Sequence, residues 1–314
     1  MTQISNQLNS KIFAHTYSIV ARDPKTGEMG VGVQSHWFSV GSVVSWGEAG
    51  AGVVATQSLV NKSFGLRGLE LLKQGKSPQE AINILISDDD GRDVRQVAIL
   101  DSQGRVATHT GLKCIKNAGH KIGNNFSVQA NMMLSDEVWP AMADAFEKCY
   151  NLSLPERIIK SLEAAESVGG DIRGKQSAAI LIVASEPTEN KWEDPLIDLR
   201  VEDHKEPLKE LSRLLKIFRA YEHMNNGDLA IEKGDMGKAL EEYDIAQKMF
   251  PDNLEMIYWT AVSLANQNQM VQALILFKRI FKKDNNWRLL TERLPHSELL
   301  NVKEEELKKI LSLK

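Results

Sequence analysis

Polar and apolar positions alternate in short runs over the first fifth of the chain, and turn residues separate the runs. TYSIVARD (residues 16–23) leads into a Pro24-Lys25-Thr26-Gly27 turn, and the chain returns through MGVGVQSH (residues 29–36). VVSW (43–46) and GVVATQ (52–57) follow as two further strand-like runs. Glycines at 30, 32, 41, 47, 50 and 52 suit strands that bend or are closely approached by another backbone, and they are too dense for helix interiors. The period then lengthens. Leu66, Leu69, Leu71 and Leu72 share a helical face that ends at Gly75, and Ser77-Pro78-Gln79-Glu80 is a capping box with proline at the first helical position. Strands resume at 95–101 and 105–110 around a Ser102-Gln103-Gly104 turn, and again at FSVQAN (126–131). A second helical pair covers 135–146 and 153–165, the latter opening on Ser153-Leu154-Pro155-Glu156 and stopping at Gly169-Gly170. SAAILIVA (177–184) is apolar throughout, as a strand buried on both faces would be, and 196–201 supplies one more strand.

Each helical pair needs a sheet face to cover, and each sheet so covered has a second face to bury. Two sheets stacked face to face with helices outside satisfy both demands, so the pattern predicts an α+β fold, a four-layer αββα sandwich over about 16–206. From Pro207 the pattern is helical only. Ala239 and Ala273, Leu240 and Leu274, and Tyr243 and Phe277 are each 34 residues apart, the period of a tetratricopeptide (TPR) repeat, with Gly227, Ala246 and Pro251 at matching positions. Two repeats are expected at about 220–253 and 254–287. Leu208, Leu211, Leu215 and Phe218 would belong to a capping helix before them, and residues 289–313 to capping helices after them. The expected division is an N-terminal extension at 1–15, the sandwich at 16–206 and an all-α TPR-like domain at 207–314.

Composition narrows the partners. A net charge of −4 gives no general case for nucleic-acid binding, and no stretch is long and apolar enough to be read as a membrane span. Cys114 and Cys149 form no CxxC and read as reduced thiols, which with the absence of a secretory signal pattern in residues 1–15 suggests the cytoplasm. The seven histidines show no metal-binding spacing, and the GEAGAG run at 47–52 precedes a strand, not a helix, so neither a metal nor a dinucleotide cofactor is expected.

The candidate chemistry starts with Thr16. Placed first in a mature chain, its hydroxyl would be the nucleophile and its own α-amine, with a pKa of about 7.7–8, the base; left internal, it is a β-former at a strand edge. Ser35 and His36 end the next strand, either assisting Thr16 or serving as polar turn ends. Gln129 and Asn131 lie on one face of their strand, and with Gln57 and Asn61 they would hold an oxyanion or amide substrate, or else form an internal hydrogen-bond network. Asp171 and Arg173 form an ion pair or present Arg173 to a substrate carboxylate. His109 ends a strand that faces the same region.

TYSIVARDP, GVGVQSHWFSVGSVV, AGAGVVATQS, HTG, FSVQANMM and GGDIRGKQSAA, in this order, resemble the bacterial family called domain of unknown function 1028, and the likeness continues through LRVEDH into RAYEHMNNGD. The resemblance implies a fold of the N-terminal-nucleophile (Ntn) hydrolase type and leaves the substrate open. It further implies that in typical members the threonine stands directly after the initiator Met or a cleaved leader, whereas this chain carries 15 residues before it. Either an alternative start or a break between His15 and Thr16 frees the threonine, or the domain is silent. The expectation is an Ntn-type amidohydrolase or peptidase acting on a small amide or peptide. The alternative is a non-catalytic ligand-binding or scaffolding protein that recruits a protein partner through the TPR-like tail. A homodimer is compatible with either.

Overall fold

The computed structural model describes residues 13–14 and 16–313. Among them the chain forms two compact units that divide between Arg213 and Leu214. The first holds two antiparallel sheets. Strands β2 (Thr16–Arg22) and β3 (Met29–Ser35) are a hairpin around the Pro24–Gly27 turn. Asp23 caps that turn by accepting from Lys25 N at 2.7 Å, and Gly27 takes a φ of +78°. With β8 (Gly119–Gly123), β9 (Phe126–Ala130), β10 (Ser177–Val183) and β11 (Pro195–Val201) they build a sheet of order β11-β10-β3-β2-β9-β8. The other sheet has β5 (Gly52–Leu59) and β6 (Arg95–Asp101) at its centre and β7 (Val106–Thr110) outside β6. The remaining edge of β5 is shared by β4 (Ser45–Glu48) and β1 (Phe13–Ala14).

Helices α2 (Ser63–Lys73) and α3 (Pro78–Ser87) lie on β5, β6 and β7, while α4 (Val138–Lys148) and α5 (Leu154–Ser167) lie on β2, β3, β8 and β9. The capping box at Ser77 forms as the sequence predicts, Glu80 N donating to Ser77 Oγ and Ser77 N to Glu80 Oε2. Alternation along the strands sorts two cores. Val54, Val97 and Ile99 face α2 and α3 with Phe64, Leu69 and Leu85. Val20, Val31, Val53, Ala55, Ala98 and Leu100 meet between the sheets.

Two local expectations need correction, and one strand lies outside them. VVSW is not one strand: α1 (Gly41–Val44) is a single helical turn before β4. The absence of a Cβ at Gly41 explains it, since one there would stand 2.5 Å from the Ala179 Cβ, and β-strand propensity yields to that close packing. Leu66 points to solvent, because the buried stripe of α2 is Phe64, Gly65, Gly68, Leu69 and Leu72. Strand β8, rich in glycine and charge, has too little apolar alternation to be read from sequence.

The tail is helical: α6 (Pro207–Glu232), α7 (Met236–Met249), α8 (Leu254–Asn266), α9 (Met270–Lys283), α10 (Asn286–Arg293) and α11 (Glu304–Leu311). The expected break between a capping helix and a first repeat near residue 219 does not occur, since no glycine or proline interrupts the helix formers between Leu208 and Asn226. The units divide inside α6, seven residues after the boundary expected from composition. Gly234, at φ +74°, ends α6, with Asp235 N donating back to Ala230 O at 2.8 Å. Helix α8 packs on both α7 and α9. Of the residues in 34-residue register, Ala239, Tyr243, Ala273 and Phe277 are buried and Leu240 and Leu274 half-buried, and Gly227 lies against the Tyr243 ring, where a Cβ would come within 2.4 Å.

Gly52 starts β5 at φ +155°, where a Cβ would stand 2.2 Å from the Leu100 carbonyl oxygen. Backbone cannot step aside as a side-chain tip can. Gly52→Ala is therefore expected to destabilise the first unit by about 2–3 kcal/mol, a fall of roughly 5–10 °C in its calorimetric transition. A shift under 2 °C would show that β5 starts elsewhere.

Candidate active site

The layer between the sheets changes character along its length. At one end it is valine and leucine; at the end where β2 begins it is polar and still buried. Thr16, Ser18, Gln57, Gln96, Ser127, Gln129 and Asn131 are all inaccessible to solvent. Unpartnered, such groups would each cost a few kcal/mol to bury, so their bonding decides what they do.

The bonds run head to tail. Thr108 and Ser127 hydroxyls are 2.8 Å apart, and Ser127 Oγ donates to Gln129 Oε1. Gln129 Nε2 donates to Ser18 Oγ and Ser18 Oγ to Gln57 Oε1, both at 2.6 Å. Gln57 Nε2 donates to Gln96 Oε1 at 2.7 Å, and Gln96 Nε2 to Thr110 Oγ1 at 2.9 Å. Thr110 Oγ1 also lies 2.9 Å from His120 Nδ1. Burial, and then the neighbouring His109, hold His120 below its ordinary pKa. Each group's donor direction fixes the next, so the amide orientations are determined mutually.

Thr16 sits beside this chain. It is opposite Ser35 across the β2–β3 pair, and Ser35 is opposite Ser177 on β10, so three hydroxyl residues line up across the sheet. The Thr16 carbonyl oxygen accepts from Asn131 N at 3.1 Å and from Gln57 Nε2 and Asn131 Nδ2 at 3.3 Å each. Asn131 Nδ2 also reaches Gln96 Oε1 at 2.9 Å. Just ahead of Thr16 the chain changes sheets: Phe13 and Ala14 pair with Leu59 and Ser58 in the β5 sheet, whereas Thr16 belongs to the β3 sheet. His15, half of the peptide bond named above, lies outside the described residues.

The other expected site residues divide. Gln57, Gln129 and Asn131 converge on Thr16 and its neighbours, using their amides on one another and on main-chain carbonyls. Asn61 does not join them; it binds Asp89 at 3.4 Å and the Ser63 hydroxyl at 2.8 Å at the start of α2. His109 also lies off the polar layer. Period-2 alternation sends Thr108 and Thr110 inward and His109 outward, where Nε2 meets Arg92 O at 2.9 Å. Asp171 and Arg173 are an ion pair with two contacts, 2.7 and 3.0 Å, and the buried Asp171 carboxylate also accepts from His36 N at 3.2 Å. The pair thus fixes the loop that carries the exposed His36. Of the five guanidinium N–H donors of Arg173, the Nε and one Nη face Asp171.

Sequence reading missed Gln96, the most connected amide, and Ser177. Gln96 interrupts the apolar alternation of RQVAILD, and this was the available signal. It also missed the helix side of the same strands. There the buried Tyr17 hydroxyl donates to Glu166 Oε1 at 2.7 Å and contacts the Gln34 amide. Tyr17 has one proton, which the carboxylate takes, so Gln34 is best satisfied with its NH2 turned to the phenol oxygen. Burial and the Glu166 charge raise the Tyr17 pKa well above its ordinary value.

Two cavities of about 570 Å³ lie elsewhere. One, lined by residues including Gly50, Lys73, Asp101 and Arg105, is at the Gly52 end of β5, the far end of the strand from Gln57. The other is within the second unit. Neither includes Thr16.

Comparison with known proteins gives the class without an activity. Residues 16–211 match the model of a family of unknown function, DUF1028, and the chain belongs to that family. A solved structure, that of protein SPO2555 from Silicibacter pomeroyi, ascribed to the same family, is similar at 31% identity and a TM-score of 0.58, over 64% of this chain and 84% of that one. No curated protein matches. Among the described residues no helix is long and apolar enough to cross a membrane.

Proposed function

We propose that the first unit is an αββα sandwich of the N-terminal-nucleophile type and that, once Thr16 is the first residue, it hydrolyses an amide bond. The observation that carries this is the head of β2. A hydroxyl residue starts a central strand at the polar end of the inter-sheet layer, its carbonyl held by three N–H donors and its backbone amine side turned to the change of sheets. The family match also begins at this residue. In the reaction the Thr16 oxygen adds to the substrate carbonyl carbon while the α-amine takes the hydroxyl proton. The C–N bond breaks, the proton passes to the leaving amine, and water then hydrolyses the ester to release the acid and restore the hydroxyl. Asn131 and Gln57 position Thr16 through its carbonyl. The free thiols Cys114 and Cys149 favour a reducing compartment such as the cytoplasm.

The test is a chain whose residues 1–15 are replaced by a ubiquitin-like tag, folded intact and then cut so that Thr16 is first. It should hydrolyse members of a panel of aminocoumarin amides, while the uncut protein with its mass unchanged should not. Equal activity before and after cutting would remove the α-amine from the mechanism.

A second reading, TPR-like recruitment of a partner, is favoured by the cavity of the second unit. Ile231, Met236, Trp259, Val262 and Leu299 line it with Asp228, Glu232 and Glu298, and no lysine or arginine does. That lining suits an apolar peptide bearing cationic side chains. Glu232→Gln with Glu298→Gln should weaken binding of a lysine-rich amphipathic peptide about tenfold by titration calorimetry; unchanged affinity would dismiss the groove.

A further inference from the structure

The edge of β5 at Ser58 and Leu59 is paired with the two residues that stand third and second before Thr16. Phe13 is opposite Leu59 and Ala14 opposite Ser58, antiparallel, on the edge whose other half is closed by β4. If the hydroxyl of Thr16 attacks the bond just ahead of it, those residues are the acyl side of that bond. Their backbone pairing therefore marks where the acyl side of any substrate would run.

We infer that this edge is an acyl-side subsite, and that the substrate is a peptide whose residues preceding the broken bond add to β5 as an extended antiparallel strand. This rests on the hydrolase reading for its chemistry and deepens it by naming the substrate class. Once Phe13 and Ala14 leave, Ser58 and Leu59 present main-chain groups with no strand opposite, and an extended peptide supplies the matching set. A small amide without a peptide backbone cannot.

Two further observations agree. Ser58, the residue opposite Ala14, has a φ of +72°, a conformation rare for a residue with a side chain. The loops around the strand heads are tied together, Met132 N donating to Ile115 O, Leu134 N to Gly170 O and Ile172 N to Met132 O. They carry the exposed side chains of Ile115, Leu134 and Ile172 at the same end of the sandwich. Apolar side chains on a tied rim suit a peptide with apolar residues better than a charged small molecule.

The test uses the chain cut to begin at Thr16. Aminocoumarin amides of acetyl-His, acetyl-Ala-His and acetyl-Phe-Ala-His copy residues 15, 14–15 and 13–15. From the shortest to the longest, kcat/KM should rise about tenfold, the yield of two backbone hydrogen bonds of ordinary net strength. Successive N–H groups of an antiparallel strand point alternately to and away from the partner. N-methylation at one of the Phe and Ala nitrogens should therefore abolish the gain, and at the other leave it. A labelled Ser-Lys-Ile-Phe-Ala-His peptide should also bind the Thr16→Ala form of the cut chain in fluorescence anisotropy, with the same alternating sensitivity. Hydrolysis that ignores acyl length overturns the subsite and spares the hydrolase. Binding with the alternating pattern but no hydrolysis supports the subsite and removes the chemistry. Neither length dependence nor binding overturns the subsite.

Discussion

Replacing Gln96 with leucine is expected to lower the calorimetric transition of the first unit by roughly 10 °C, equivalent to about 3–4 kcal/mol. Leucine matches glutamine closely in size, so the loss does not come from a void. It comes from the partners. Gln96 Oε1 accepts from Gln57 and Asn131, and its Nε2 reaches Thr110 Oγ1, Gly119 O and Ala130 O. Gln57 and Asn131 keep a second acceptor in the Thr16 carbonyl, which limits the damage on that side. The buried Ala130 carbonyl and the half-buried Thr110 hydroxyl and Gly119 carbonyl lose a donor, and a buried polar group left unsatisfied costs about 1–3 kcal/mol. Gln103→Leu, at an exposed turn, should shift the same transition by under about 2 °C. Because Gln96 and Asn131 share a bond, Gln96→Leu combined with Asn131→Leu should fall short of the sum of the two single changes. A Gln96→Leu protein as stable as the original would mean that the polar layer is hydrated and loosely held.

The architecture was legible where the side-chain period changed. Strands of alternating or wholly apolar residues, two helical pairs whose second members open on proline, and an all-helical tail follow from spacing alone. The sequence is silent where the deciding contact comes from a distant part of the chain. Val43 and Val44 favour a strand until Ala179 is brought against Gly41. His109 and Thr110 are neighbours in sequence but face opposite sides of one strand. The site was half legible for the same reason. Polar residues inside apolar strands, Gln57 and Gln129, announce that something holds them, and Gln96 carried the same signal. What each amide bonds depends on facing two sheets, which no local pattern encodes. Arg173 beside Asp171 announced an ion pair, but the carboxylate's burial and its hold on His36 N depend on a loop 135 residues away.

On the chain cut to begin at Thr16, Thr16→Ala is expected to bring amide hydrolysis down to the uncatalysed background while the fold persists. The separation follows from which atoms hold the residue. Asn131 N, Asn131 Nδ2 and Gln57 Nε2 donate to the Thr16 carbonyl oxygen, which alanine retains. The truncation removes the hydroxyl and one buried methyl, about 1 kcal/mol, or a few degrees in the transition of the first unit. Thr16→Ser keeps a hydroxyl and should keep measurable turnover. The pH profile supplies the sign. The α-amine acts as a base only when neutral, so kcat/KM should rise with pH through a pKa of about 7.7–8 and level off above it. Acetylating that amine should abolish the activity at every pH. An activity that survives Thr16→Ala, or that is flat from pH 6 to pH 9, would move the chemistry away from the head of β2 and leave the hydroxyl row of Thr16, Ser35 and Ser177 as structure.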